Sequence, residues 1–302
     1  MHGCRFACLC PFLFLIVVST GCQPVKFVDT TEPVQPAVEA GAEFDPAACG
    51  SVAGDVTWDG EPPPAETIHA WLSSENGVQV SVQSLLVPHV QRNAFQSTQP
   101  GTDRGSVVCN AIVFLRGVDA RKGRPWSLPH VTVVQNDYQI HIEQGDNTSQ
   151  VGFVHRGDAI DMVSRQPVFH SLHLSGAAFA TIAFPDPDVV RQRVLDKNGI
   201  VELSSAAGHY WARGFLFVDD HPYYTRTDGE GHFTLDQVPP GDYDVVCWLL
   251  GWRAISHTRD PESALITRQQ YEAPIEVVQH LRVAAKMASE VTFAVSAPSP
   301  MR

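Results

Sequence analysis

The stretch Ser205-Ala206-Ala207-Gly208-His209-Tyr210-Trp211-Ala212 decides how this chain is read. It places one imidazole in a short loop of small residues, just after a strand-like segment. Working outward, a second histidine closes Asp161-Met162-Val163-Ser164-Arg165-Gln166-Pro167-Val168-Phe169-His170. If residues 169–174 are extended, His170, Leu172 and Leu174 share one face, and Phe169, Ser171 and His173 share the other. His170 then points with the leucines toward the core and His173 points away. The His-x-x-His spacing is therefore no ligand pair, because positions i and i+3 of a strand diverge. His170 and His209 are the two imidazoles that could meet.

Around them the chain reads as all-β. Residues 51–58 alternate as a strand and turn at Asp59-Gly60. The run 107–115 is nearly all apolar, which predicts one core strand buried on both faces. Strands at 130–134 and 138–143 are joined by Gln135-Asn136-Asp137. Residues 66–103 give no clear period, and 65–74 could form a short helix. Asp228-Gly229-Glu230-Gly231 is a turn, since its spacing lacks the later bidentate glutamate of a calcium loop.

The N-terminus reads as a sorting signal. Arg5 precedes an apolar run at 11–18 that is too short to span a bilayer. Ser19-Thr20-Gly21-Cys22 then resembles a lipobox, with serine where leucine is usual, so Cys22 is the expected lipid anchor, a plain signal peptide cleaved nearby being the alternative. Residues 1–22 are thus a lipoprotein-type signal peptide, and 23–48, rich in Pro, Ala, Glu and Thr, a flexible tether. Once the signal is removed, Cys49, Cys109 and Cys247 remain beside the anchor. They allow one disulfide, but Cys109 and Cys247 lie in apolar runs and read as small buried hydrophobes. A net charge of −12 without a basic cluster argues against nucleic acid as a partner.

The loop at 205–212 resembles the ligand loop of cupredoxins, Cys-x-x-x-His-x-x-Met, with His209 in the histidine position. Ser205 stands in the cysteine position and Ala212 in the methionine position. The segment ending at His170 is similar to the one that carries the first histidine ligand, although Ser164 and Gln166 depart from the usual polar pair. Farther on, Thr227-Asp228-Gly229-Glu230-Gly231-His232-Phe233-Thr234-Leu235 and Pro239-Pro240-Gly241-Asp242-Tyr243 resemble the carboxypeptidase regulatory-like (prealbumin-like) β-domain. The resemblance implies a cupredoxin-like β-sandwich plus a carboxypeptidase regulatory-like β-sandwich, as in bacterial envelope proteins that join these modules. The expected division is an N-terminal β-region at 49–150, a cupredoxin-like core at 151–218 and the regulatory-like domain at 219–297.

A blue-copper centre needs a thiolate, two imidazoles and a weak axial thioether. Neither the Ser205 hydroxyl nor the Ala212 methyl can supply the missing donors, so no cofactor is expected. His170 and His209 could still hold copper or zinc weakly, or serve as hydrogen-bonded core residues. The turn at Asp219, Asp220, His221, Tyr223 and Tyr224 is a second candidate, for a cation or a sugar hydroxyl, although such runs are more often solvated inter-domain turns whose tyrosines pack against the neighbouring module. No nucleophile elbow, zinc-protease helix or phosphate loop occurs, so the chain leans away from catalysis. The expectation is an exported, membrane-anchored, non-catalytic binding or assembly module of the cell envelope, with a protein or glycan partner; the alternatives are weak copper or zinc binding through His170 and His209, and carbohydrate binding by the prealbumin-like domain.

Overall fold

The computed structural model describes residues 44–60, 67–71, 79–83, 89–91, 106–251, 253–262 and 266–297. The leader, Cys22 and most of the tether lie outside them. All regular structure among the described residues is β, and none of it is a helix long and apolar enough to cross a membrane. Thr67–Trp71, where a short helix was one expectation, is a strand paired with Gln79–Gln83.

Four larger sheets form two sandwiches. In sheet I, Gly50–Asp59 lies between His232–Val238 and the parallel strand Ala288–Ser296, and Ser106–Cys109 and His89–Gln91 extend it. Sheet II runs Tyr224–Arg226, Ile112–Arg116, Gly241–Leu249, Ile275–Val283. Sheet III runs Val151–His155, Arg213–Asp219, Gly199–Ser205, His170–Gly176, Ala180–Phe184. Sheet IV runs Arg191–Val194, Ala159–Ser164, Val131–Asn136, Gln139–Gln144, Asn147–Ser149. Sheets I and II enclose one core, around Val56, Leu115, Tyr223 and Phe293. Sheets III and IV enclose another, around Ile142, Met162, Leu172 and Leu216.

The sheets divide the chain elsewhere than the expected boundaries. Residues 131–149 pair with Ala159–Ser164 and so belong to the same sandwich as His170 and His209. Phe114 is the direct cross-strand partner of Tyr224, so sheet II closes across the whole intervening segment. The second sandwich is therefore an insertion within the first. The apolar run 107–115 is also not one strand. Asn110 takes a left-handed backbone (φ 59°), and there the chain passes from sheet I to sheet II. Asp137 and Tyr138, both with positive φ, make the tight hairpin that brings Tyr138 to the mouth of the second core.

A third apolar cluster explains why so many strands lack polar alternation. Ile112, Phe114, Tyr224, Val246 and Trp248 leave the outer face of sheet II, and Val151, Phe153, Phe215 and Phe217 leave that of sheet III. Phe217 touches Phe114, Phe153, Tyr224 and Trp248, with ring centroids 5.2–6.1 Å apart. Strand segments covered on both faces must read as unbroken apolar runs, and residues 214–218 and 245–249 do so.

Candidate metal centre

His170 opens its strand, and its side chain follows Leu172 and Leu174 into the core, leaving 1% of the residue exposed. His173 turns outward and bonds Thr181 Oγ1 at 3.0 Å. His209 sits in the loop between Gly199–Ser205 and Arg213–Asp219, where Gly208 adopts φ 86°. The loop closes on itself, with Ser205 N donating to Ala212 O and Ala212 N to His209 O. Ala206 N donates to Ser171 O, which ties the loop to the strand that carries His170. These constraints bring the two imidazoles together, with ring centroids 5.1 Å apart and planes tilted by 54°.

The hydrogen bonds fix how each ring presents itself. Tyr138 N donates to Gln166 Oε1 at 2.9 Å, so that atom is an acceptor. His170 Nε2 lies 3.1 Å from the same oxygen and must be its N–H donor, which leaves Nδ1 as a bare lone pair. Ser205 Oγ accepts from Ala207 N at 3.1 Å and stands 3.5 Å from His209 Nδ1. Burial pushes both imidazoles below the ordinary histidine range. For His209 the lowering reaches about 4, with the neighbouring His170 adding to the effect of burial. Both rings are therefore neutral at physiological pH. Tyr138 and Trp211 wall the pocket, with ring centroids 5.3 and 5.7 Å from His209, and Trp211 Nε1 donates to Tyr138 O at 2.9 Å.

The donor set does not fit blue copper. Ser205 offers a hydroxyl where a thiolate is needed, and the buried Ala212 offers a methyl. Among the described residues no group of three or more His, Cys, Asp or Glu side chains is arranged to hold a metal ion. Two neutral imidazoles facing each other are what the pocket can offer. Cys247 cannot join them. It lies in the core of the other sandwich, where burial pushes its thiol up to about 12. Cys49, Cys109 and Cys247 are all free thiols.

The candidate ligand turn is committed to the interior. Tyr224 Oη donates to Asp219 Oδ2 at 2.6 Å, and His221 Nε2 approaches the same oxygen at 3.3 Å. His221 stacks on Tyr224 at 5.6 Å, and burial holds its pKa below the ordinary value despite Asp219 and Asp220. Asp220 accepts from Arg156 and Asn198, and Tyr223 Oη donates to Gln237 O. This turn joins the two sandwiches. Tyr138 and Gln166 were missed as pocket residues. Both come from connections beside sheet IV, and Gln166 stood out in the sequence only as a departure from the expected pair.

Strand arrangement and paired histidines make the inserted sandwich cupredoxin-like. No family model and no curated protein matches the chain. Among solved structures, a mutant of amicyanin in its reduced state is similar at 16% identity, over 30% of this chain and 81% of that one, with a TM-score of 0.23. A purple cupredoxin from Nitrosopumilus maritimus is similar at 12% identity, over 30% of this chain and 98% of that one, with a TM-score of 0.24. A second amicyanin mutant, with Cu(I), is similar at 15% identity, over 35% of this chain and 97% of that one, again with a TM-score of 0.24.

Proposed function

We propose that this chain is a non-catalytic binding module, exported and held at the cell envelope through Cys22, in which a cupredoxin-like sandwich serves as a frame rather than as a redox centre. The observation that carries the reading is Ser205. Its hydroxyl occupies the donor position beside His209 and is already bonded to Ala207 N, so the loop is self-sufficient without a metal. The other sandwich supports the same reading. The residues that resemble a regulatory-like accessory domain build its core, with Phe233, Leu235 and Tyr243 buried and Tyr243 Oη bonded to Pro239 O. The test is fractionation and cross-linking of the full chain expressed in a bacterium. Wild type should sediment with membranes and cross-link to an envelope component, and Cys22→Ser should release it to the soluble fraction. A wild-type chain that stays soluble, or that cross-links to nothing in the envelope, would overturn the reading.

A second reading is favoured by the bare Nδ1 of His170 and the neutral His209 on rings with centroids 5.1 Å apart, namely weak binding of copper or zinc by this pair. Titration with Cu(I) and Zn(II) tests it. Affinity that is unchanged in the His170→Ala, His209→Ala double variant would sink the idea.

A further inference from the structure

The outer face of sheet III changes character along its length. Where sheet II covers it, the side chains are Val151, Phe153, Phe215 and Phe217. Beyond that cover they are His173, Ser175, Glu202 and Ser204, and the hairpin Ala254–Arg259 with Ile266–Tyr271 stands over them. Between face and hairpin lies a cavity of about 350 Å³, and a neighbouring one of about 440 Å³ shares Glu202, Arg213, Arg268 and Gln269 with it. Together they form one continuous cleft with room for more than one sugar unit.

The floor of the cleft is rigid. Arg213 donates through Nε to Glu202 Oε1 at 2.9 Å and through Nη1 to Gly251 O at 3.0 Å, and it lies 4.1 Å from the centroid of the Tyr271 ring. The pair cancels in charge, yet the Glu202 side chain remains 42% exposed. Arg268 lines both cavities and makes no ion pair among the described residues. Glu272, the other carboxylate of the lining, pairs with Arg253, so with Glu202 held by Arg213 the guanidinium of Arg268 is left to meet an anion, on a chain of net charge −12. The rest of the lining supplies hydroxyls, the side-chain amides of Gln269 and Gln270, the imidazoles of His173 and His257 and the half-buried ring of Tyr210, with Phe215 and Pro274 as its apolar part. A peptide groove would need apolar pockets for alternate side chains or an open strand edge, whereas dense hydroxyl and amide groups with an aromatic platform match sugar rings.

We propose that this cleft binds an acidic oligosaccharide, with a uronate carboxylate on Arg268, sugar hydroxyls on Glu202, Ser204 and Gln269, and one ring against Tyr210. The assignment rests on the binding-module reading and gives it a ligand class. It also moves glycan recognition away from the turn at 219–224, whose polar groups are internally bonded. Calorimetric titration of the chain with tetragalacturonate tests it, with neutral maltotetraose and tetraglutamate as competitors for the assignment. Tetragalacturonate should bind at least tenfold more tightly than either. Arg268→Gln and Gln269→Ala, both on the hairpin and away from the cores, should each weaken it, Arg268→Gln by about tenfold or more. No binding, binding indifferent to both substitutions, or tetraglutamate binding as tightly would overturn the proposal. If tetragalacturonate fails while the chain still cross-links in the envelope, the ligand class falls and the binding-module reading stands. If both fail, both fall.

Discussion

Replacing Ser205 by cysteine should turn the pocket into a metal site. Around a tetrahedral zinc-like ion, a thiolate at about 2.3 Å and an imidazole nitrogen at about 2.05 Å are separated by roughly 3.6 Å. Ser205 Oγ already stands 3.5 Å from His209 Nδ1, so the hydroxyl and the ring nitrogen have the spacing of two ligands on one ion. The ring of His170, whose Nδ1 is bare, lies 5.1 Å from that of His209 and is oriented through the bond from its Nε2 to Gln166, and such support of a ligating imidazole from behind raises its affinity. Ser205→Cys changes only the donor, exchanging a hydroxyl for a soft thiolate, and the half-buried position leaves room for sulfur. The expected gain in affinity for Co(II) or Zn(II) is at least about a hundredfold, or about 2.7 kcal/mol. Co(II) titration reads it through the thiolate-to-cobalt charge-transfer band, compared with wild type, whose free thiols all lie outside this pocket. Adding Ala212→Met should shift the Cu(II) spectrum toward that of a blue centre, at a packing cost of about 1–3 kcal/mol, because Ala212 is buried. A folded Ser205→Cys protein that binds cobalt no better than wild type would refute the claim that the three groups converge.

The interface between the sandwiches should carry much of the stability. Phe217→Ala removes a ring that is 2% exposed and touches four aromatics, so urea unfolding should show a loss of about 3–5 kcal/mol, and a loss under about 1 kcal/mol would deny the cluster that role. Gly54→Ala should be worse tolerated than any nearby surface change. Its Cβ would fall 1.7 Å from the carbonyl oxygen of Val291, forcing apart the parallel strands of sheet I, and more than about 3 kcal/mol should be lost in the same assay. His232 gives a dependence on pH, since its hydrogen bond to Asp55, followed by the nearby carboxylates, raises its pKa above the unfolded value of about 6.5. The stabilisation is then full below that value and lost as pH rises through the folded pKa. Both side chains are about half exposed, so the effect stays below about 1 kcal/mol: the melting temperature should fall slightly as pH rises from 6 to 9, and Asp55→Asn should abolish the trend.

The fold was legible where the backbone period is local. The alternation of His170, Leu172 and Leu174 places them on one face, and no tertiary contact overrides it. The apolar run 107–115 was legible as doubly buried, but its division between two sheets was not. A single left-handed residue, Asn110, makes the break, and asparagine tolerates that conformation without announcing it. The nesting of one sandwich in the other could not be read at all, because it depends on Phe114 finding Tyr224 across the inserted domain. The cleft was equally hidden. His173, Glu202, Arg213 and Arg268 are unremarkable where they stand in the chain and meet only when the hairpin folds back over sheet III.

The pairing of two buried histidines has a physical explanation in this pocket. A buried imidazole is costly unless it is neutral and bonded, and here each ring has acquired a structural task that needs no metal. His170 satisfies Gln166, which in turn accepts from the hairpin that carries Tyr138. His209 fills the space between Tyr138, His170 and Trp211, and Trp211 locks that hairpin through its indole nitrogen. The two imidazoles thus clamp the connection at 137–138 of sheet IV to the loop at 205–212 of sheet III, closing the mouth of the second core. A pocket held in this way keeps its geometry through its own contacts, because those that orient the two imidazoles also seal the sandwich.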